Sequence, residues 1–134
     1  MPNQKQQDAH ELVQAARNAA KTAYCPYSNY PVGAALRLRD GRIVTGCNIE
    51  NASYGLCNCA ERTAIFKAVS EGRRAFTALA VCGGTERPAY PCGACRQVIA
   101  EFCPPDMPVY IAALEGDDIA ATTVGELLPL TFSL

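Results

Sequence analysis

The sequence predicts an α/β fold: three layers, α-β-α, around a mixed central sheet of about five strands. Three observations predict it. Helical and strand-like periodicities follow one another in the order α-β-β-α-β-α-β, the pattern of helices packed on a sheet. The strand-like runs 76–82 and 109–114 are apolar nearly throughout, as strands covered on both faces are. No linker, repeat or low-complexity tract interrupts the 134 residues, so a single domain over 1–134 is expected.

The elements follow in order. From Asp8 to about Ala23, Leu12, Ala16, Ala19, Ala20 and Ala23 recur at helical spacing, and Asp8 is a candidate N-cap. Cys25-Pro26-Tyr27-Ser28 breaks that helix. Val32 to Leu38 and Ile43 to Cys47 read as strands joined at Asp40-Gly41, a strong hairpin signal. Asn48 to Asn58 is polar and irregular. Cys59 to about Glu71 reads as a helix stopped by Gly72. A strand over 76–82, a loop from Gly83 to Tyr90 and a helix over 92–102 come next. After the strand over 109–114, Glu115-Gly116-Asp117 turns into a weak strand near 118–122. Thr123 then caps a short helix that stops at Pro129.

Composition narrows the function classes. Hydrophobic residues make up 49% of the chain, enough for a core, and the net charge is −1. That balance gives no basic footprint for nucleic acid. No apolar run approaches the ~18 residues of a membrane span. The segment Met1–Asp8 is polar and has no apolar signal core. The expectation is a cytoplasmic protein whose thiols stay reduced and free to bind metal.

The chemistry concentrates in two short stretches, Cys59-Ala60-Glu61 and Pro91-Cys92-Gly93-Ala94-Cys95. A catalytic zinc site takes three protein ligands and keeps one position open. Cys59, Cys92 and Cys95 are the candidate ligands for one Zn²⁺ per chain. Glu61, two residues from the first ligand, is the candidate proton shuttle. A ligand-x-Glu followed by Pro-Cys-x-x-Cys is the signature of zinc deaminases acting on nucleobases. Replacing an exocyclic amine by oxygen needs a nucleophile stronger than free water, and zinc supplies one near neutral pH. One carboxyl group then serves as base and later as acid. Three thiolates leave the site with excess negative charge. Arg62, with Arg96 as a second candidate, is expected to lie against the sulfurs and offset it. Gln97 is expected with them, just behind the ligands.

Rival readings remain open on these residues alone. A disulfide framework conflicts with the expected compartment. A structural zinc site with Cys57 as a fourth ligand leaves Glu61 unexplained and needs an unusually tight C-x-C pair. Such a non-enzymatic zinc module is the rival from a different class. Cys25, Cys47, Cys82 and Cys103 read as small core hydrophobes, and His10 as a surface residue.

Over Ala23 to Phe132 the chain resembles the small zinc-dependent cytidine deaminases that assemble as homotetramers. The resemblance rests on Tyr24-Cys25-Pro26-Tyr27-Ser28, Val32-Gly33-Ala34-Ala35, 46–52 (GCNIENA), 57–64 (CNCAERTA), 91–98 (PCGACRQV) and Glu126-Leu127-Leu128-Pro129. It implies deamination of cytidine and 2′-deoxycytidine to the uridines in pyrimidine salvage, with no nucleic-acid or membrane partner. It also implies that Asn48 and Glu50 bond the ribose, and that the Ala60 backbone and Glu61 read the pyrimidine edge. Tyr30, where the family usually carries Phe, is implied to line the pocket. Tyr54 is implied to lie near a neighbouring subunit's site and Phe132 to close over a neighbour's base, so that neighbours complete each active site. A deaminase of a cytosine-bearing antibiotic nucleoside and a polynucleotide deaminase are the rivals within the same chemistry.

Overall fold

The computed structural model describes residues 3–134. Its elements are α1 (Gln4–Ala20), β1 (Val32–Leu38), β2 (Ile43–Cys47), α2 (Ala60–Ser70), β3 (Phe76–Gly83), α3 (Gly93–Phe102), β4 (Pro108–Ala112), β5 (Ile119–Thr123) and α4 (Val124–Leu127). The five strands form one sheet in the order β2-β1-β3-β4-β5. β3 and β4 are parallel and every other neighbouring pair is antiparallel. The parallel pair needs a crossover, which α3 supplies. The predicted three-layer mixed sheet is the observed one.

Strand alternation divides the core in two. Leu36, Leu79, Val81, Val109 and Ile111 pack with Ala64, Ile65 and Ile99 of α2 and α3. The intervening positions, Ala35, Ala78, Ala80, Cys82 and Ala112, pack with Leu12, Val13 and Ala16 of α1. Apart from Tyr110, the buried sheet positions facing α1 are small residues, which lets that helix sit close to the sheet. The closest approach is at Gly33, where an added Cβ would lie 1.8 Å from the Ala16 carbonyl oxygen and 2.6 Å from the Ala20 nitrogen. Gly33→Ala must displace α1, and overpacking of this kind costs about 1–3 kcal/mol. Denaturant midpoints will show the loss, while turnover per folded molecule stays unchanged because α1 lies on the face away from α2 and α3.

Two helix boundaries differ from the sequence expectation. α1 begins a full turn before Asp8, with Asn3 as its cap. Asn3 and Gln6 exchange reciprocal backbone bonds of 2.9 Å, a capping box that apolar periodicity does not reveal because Gln4–Gln7 is polar. Asp8 instead accepts from Arg37 of β1 at 2.6 Å. α1 also ends earlier, at Ala20 rather than Ala23, because Tyr24 is drawn into a bridge with Ile49. Met1, which opens the polar N-terminal segment, and Pro2 lie outside the described residues. The stop of α2 is as expected: Gly72 takes a φ of 84°, and Arg73 and Gly72 donate to the carbonyls of Ala68 and Val69. That is a Schellman closure, which favours glycine.

Candidate active site

The loops after β2 and β3 lead into the N-termini of α2 and α3. This is the end of an open sheet where ligands usually bind. Cys59 is the N-cap residue of α2 and Cys92 that of α3. Cys95, one turn into α3, is fully buried. Two helix termini thus aim free N–H groups and positive dipole ends at one point, which favours thiolates there.

The three sulfurs lie within 4.8 Å of one another. Cys59 Sγ is 3.8 Å from Cys92 Sγ, which is 3.4 Å from Cys95 Sγ. Tetrahedral zinc with bonds of about 2.3 Å needs sulfurs about 3.8 Å apart, so the cluster fits that ion. All eight cysteines are free of disulfides. Cys57 is not part of the cluster; its sulfur pairs with the Asn51 backbone. Cys82 and Cys103 are buried as expected, whereas Cys25 and Cys47 are only half-buried.

The charges around the sulfurs are matched on one side only. Arg62 Nη2 donates to Cys59 Sγ at 3.2 Å, and its Nε–H is buried without a partner. The Cys59 thiol is lowered to about 5, mainly by the hydrogen bond from Cys95, with Arg62 adding to it against the cost of burial. Cys95 is raised, because its proton serves Cys59 and because it is buried. Arg62→Met is expected to weaken zinc binding about 10- to 100-fold, the usual cost of losing a group that supports a ligand. Competition against a chromogenic chelator measures this.

Arg96 does not lie against the thiolates. Its Nε donates to the Pro91 carbonyl at 2.8 Å and its Nη1 to the Leu127 carbonyl at 2.9 Å. Successive residues on a helix face different directions; Cys95 points inward, so Arg96 reaches α4 and ties down the loop before Cys92. Gln97 likewise turns away, its Nε2 donating to the Phe132 carbonyl at 3.3 Å.

Glu61 sits in the first turn of α2 at 3% exposure, the one charged residue among the buried side chains described. Burial raises its carboxyl above the usual range, and the Cys59 thiolate raises it further. A carboxyl raised in this way can both take and give a proton.

A pocket of about 380 Å³ opens over these groups, within the ~300–1,000 Å³ usual for small-molecule sites. Glu61, Ala60, Cys59, Cys92, Tyr30, Asn48 and Glu50 all line it. Asn48 accepts from the Val32 N–H and donates to the Tyr30 carbonyl, both at 2.9 Å. Glu50 accepts from the Tyr27 and Ser28 N–H groups and from the Ser28 hydroxyl. Those bonds, the Ser28 hydroxyl foremost, lower its pKa. Tyr54 and Phe132 are not among the lining residues. They are 75% and 69% exposed, and Tyr54 meets Tyr27 edge-on, at 6.2 Å between ring centroids.

Residues 6–111 match the model of the cytidine and deoxycytidylate deaminase zinc-binding region. The chain belongs to this deaminase family. A cytidine deaminase of Sporosarcina psychrophila is 60% identical over 126 residues, covering 94% of this chain and 92% of that one. The crystal structure of cytidine deaminase from Burkholderia pseudomallei is 53% identical with a TM-score of 0.88, covering 92% of this chain and 98% of that one. Blasticidin-S deaminase of Bacillus cereus is 32% identical over 139 residues, covering 98% of this chain and 96% of that one. The zinc-binding deaminase family and the three-cysteine cluster together fit one zinc ion per chain.

Sequence reasoning missed part of the deaminase pocket. Ser28, Val32, Val81, Ala89 and Tyr90 also line it. Val32 and Val81 sit in strands, where apolar residues signal core. Ser28 and Tyr90 sit in loops, and nothing local marks them as facing a ligand.

Proposed function

We propose that this protein hydrolytically deaminates cytidine and 2′-deoxycytidine to uridine and 2′-deoxyuridine, releasing ammonia. The observation that carries the reading is Glu61: a carboxyl buried beside three clustered sulfurs in the pocket, its pKa pushed up by that burial. Zinc held by Cys59, Cys92 and Cys95 supplies a water acidic enough to attack near neutral pH. Glu61 accepts one proton from the attacking water and passes it to the ring nitrogen, then accepts the second from the newly added hydroxyl and passes it to the departing amine. The C–N bond breaks, a C–O bond forms, and ammonia carries the nitrogen away. The Ala60 backbone, fully buried beside Glu61, offers polar atoms to the pyrimidine edge.

The charge of the lining supports a nucleoside over a nucleotide. Glu50 and Glu61 are there, and no lysine or arginine stands among the described residues that line the pocket. A 5′-phosphate would find no partner. The same argument, with the net charge of −1, disfavours polynucleotides. No described helix is long and apolar enough to cross a membrane. The proposal places the protein in the cytoplasm because the three sulfurs must stay reduced to hold zinc.

Purified zinc-loaded protein is expected to release ammonia from cytidine. Zinc bound at one per chain with no release would refute the reaction and keep the metal site. Cytidine should also outcompete blasticidin S; the reverse preference would move the substrate to the antibiotic nucleoside.

The active assembly in this proposal is a homotetramer whose neighbours complete each site. Exposed Tyr54, Leu56 and Phe132 support it, because large apolar side chains left in water favour association. Light scattering is expected to give ~57 kDa, a closed four-copy assembly of the 14.3 kDa chain. A stable monomer at working concentration would contradict it.

A further inference from the structure

The pocket wall formed by residues 27–32 is pinned from one side. Asn48 and Glu50, two residues apart, place both side chains on that wall: Asn48 holds Tyr30 and Val32, and Glu50 holds Tyr27 and Ser28. The wall is a tight turn, in which Asn29 adopts a φ of 54° and donates to the Cys25 carbonyl at 2.9 Å. Within it Ser28 has a particular place. Its backbone N–H donates to Glu50 Oε1 at 3.1 Å and its hydroxyl donates to Glu50 Oε2. The same hydroxyl oxygen accepts from the Tyr30 N–H at 3.1 Å, and Ser28 itself lines the pocket.

A carboxylate offers about four acceptor positions. Two on Oε1 are taken by the Tyr27 and Ser28 amides, and one on Oε2 by the Ser28 hydroxyl. One position remains, on Oε2. The terminal torsion of glutamate is broad, so the amides on Oε1 alone leave the other oxygen free to swing. The Ser28 hydroxyl removes that freedom.

We propose that Ser28 is a positioning residue for substrate: its hydroxyl fixes the Glu50 carboxylate so that the remaining acceptor site on Oε2 meets one sugar hydroxyl. The identity of the ligand rests on the nucleoside reading above. Cytidine and 2′-deoxycytidine differ at the 2′ position and share the 3′- and 5′-hydroxyls, so the hydroxyl concerned is a shared one, and we assign it to the 3′.

The test compares 2′-deoxycytidine with 2′,3′-dideoxycytidine in wild type, Ser28→Ala, Glu50→Gln and the double variant. Ser28→Ala is expected to raise KM for 2′-deoxycytidine about tenfold, the scale of one charge-assisted hydrogen bond. Its kcat should hold, its KM for the dideoxy substrate should not move, and in the Glu50→Gln background it should add nothing. An equal rise for both substrates overturns the proposal, since a general distortion of the wall would do that. A second readout needs no turnover: carbon NMR of the Glu50 carboxyl. The other ionisable groups lining the pocket are Glu61, Cys59, Cys92, Tyr30 and Tyr90, so the titration is read at the Glu50 carbon itself. In the wild type it should titrate below the ordinary carboxylate range, and in Ser28→Ala closer to it. An ordinary titration in the wild type overturns the proposal even if the variant does not fold. A lowered, Ser28-dependent titration in a protein inactive on cytidine keeps the Ser28–Glu50 link and removes the nucleoside reading instead.

Discussion

Glu61→Ala is expected to keep one zinc per chain and lose about 10²- to 10⁴-fold in turnover of cytidine, the usual worth of a positioned general acid–base. Zinc is retained because the three clustered sulfurs do not include Glu61. Turnover falls because no other carboxyl is placed to help. Glu50, the second acid in the pocket, accepts from Tyr27 and Ser28 and has a lowered pKa, so it is committed to the ionised form. Glu61→Gln sharpens the experiment. It keeps the shape of the side chain and removes only the exchangeable carboxyl proton. Burial penalises the charged form of Glu61, so the amide variant should melt at the same temperature or higher while being as inactive as the alanine variant. Such a trade of stability for activity is common at catalytic groups. Metal analysis, a thermal melt and an ammonia assay on the same preparation check all three statements. Near-normal turnover in either variant would end Glu61's role.

Gly46→Ala is expected to damage both fold and catalysis, unlike Gly33→Ala on the other face. A Cβ at Gly46 would lie 2.5 Å from the Ala64 nitrogen, 2.6 Å from the Ala60 carbonyl oxygen and 3.0 Å from Thr63 Cβ. Two of these are backbone atoms of α2 and cannot rotate away. The helix must lift from β2, at a cost of about 1–3 kcal/mol. That corresponds to a fall of roughly 4–12 °C in Tm for a domain of this size. The same movement shifts Cys59 and Glu61, which sit at the start of α2. A displacement of about 1 Å in a catalytic group costs on the order of 10²-fold, so kcat/KM should fall by about that factor even at temperatures where the variant is folded. Thermal melts and initial rates at 20 °C measure the two effects separately. A variant that loses stability yet keeps full kcat/KM would show that α2 adapts without moving its first turn.

The contrast between these two glycines shows what was legible before the fold was known. Both stand inside predicted strands, and the sequence treats them alike. Only the tertiary structure shows which helix each one admits, because the distance between a strand and a helix is set by packing across the chain. The two arginines make the same point. Arg62 and Arg96 each follow a motif residue directly, and both were expected at the sulfurs. Helix rotation sends one to Cys59 and the other to Pro91 and Leu127. Ser28 is the clearest omission. It looks like part of a helix break, and its place at Glu50 depends on a turn meeting a segment more than twenty residues away.

The sequence by itself determined the element order, the central strands and the hairpin at Asp40-Gly41, and it set the spacing of the three sulfurs and of the acid two residues after the first of them. Each of these is written in local periodicity, turn chemistry or short spacing, which neighbouring residues dictate. The tertiary structure alone decided the start of α1 at a polar capping box, the partners of Arg96 and Gln97, the clearance at Gly33 and Gly46, and the Ser28–Glu50 contact. Those depend on where distant segments come to rest against one another, and long-range packing leaves no mark on the residues read one window at a time.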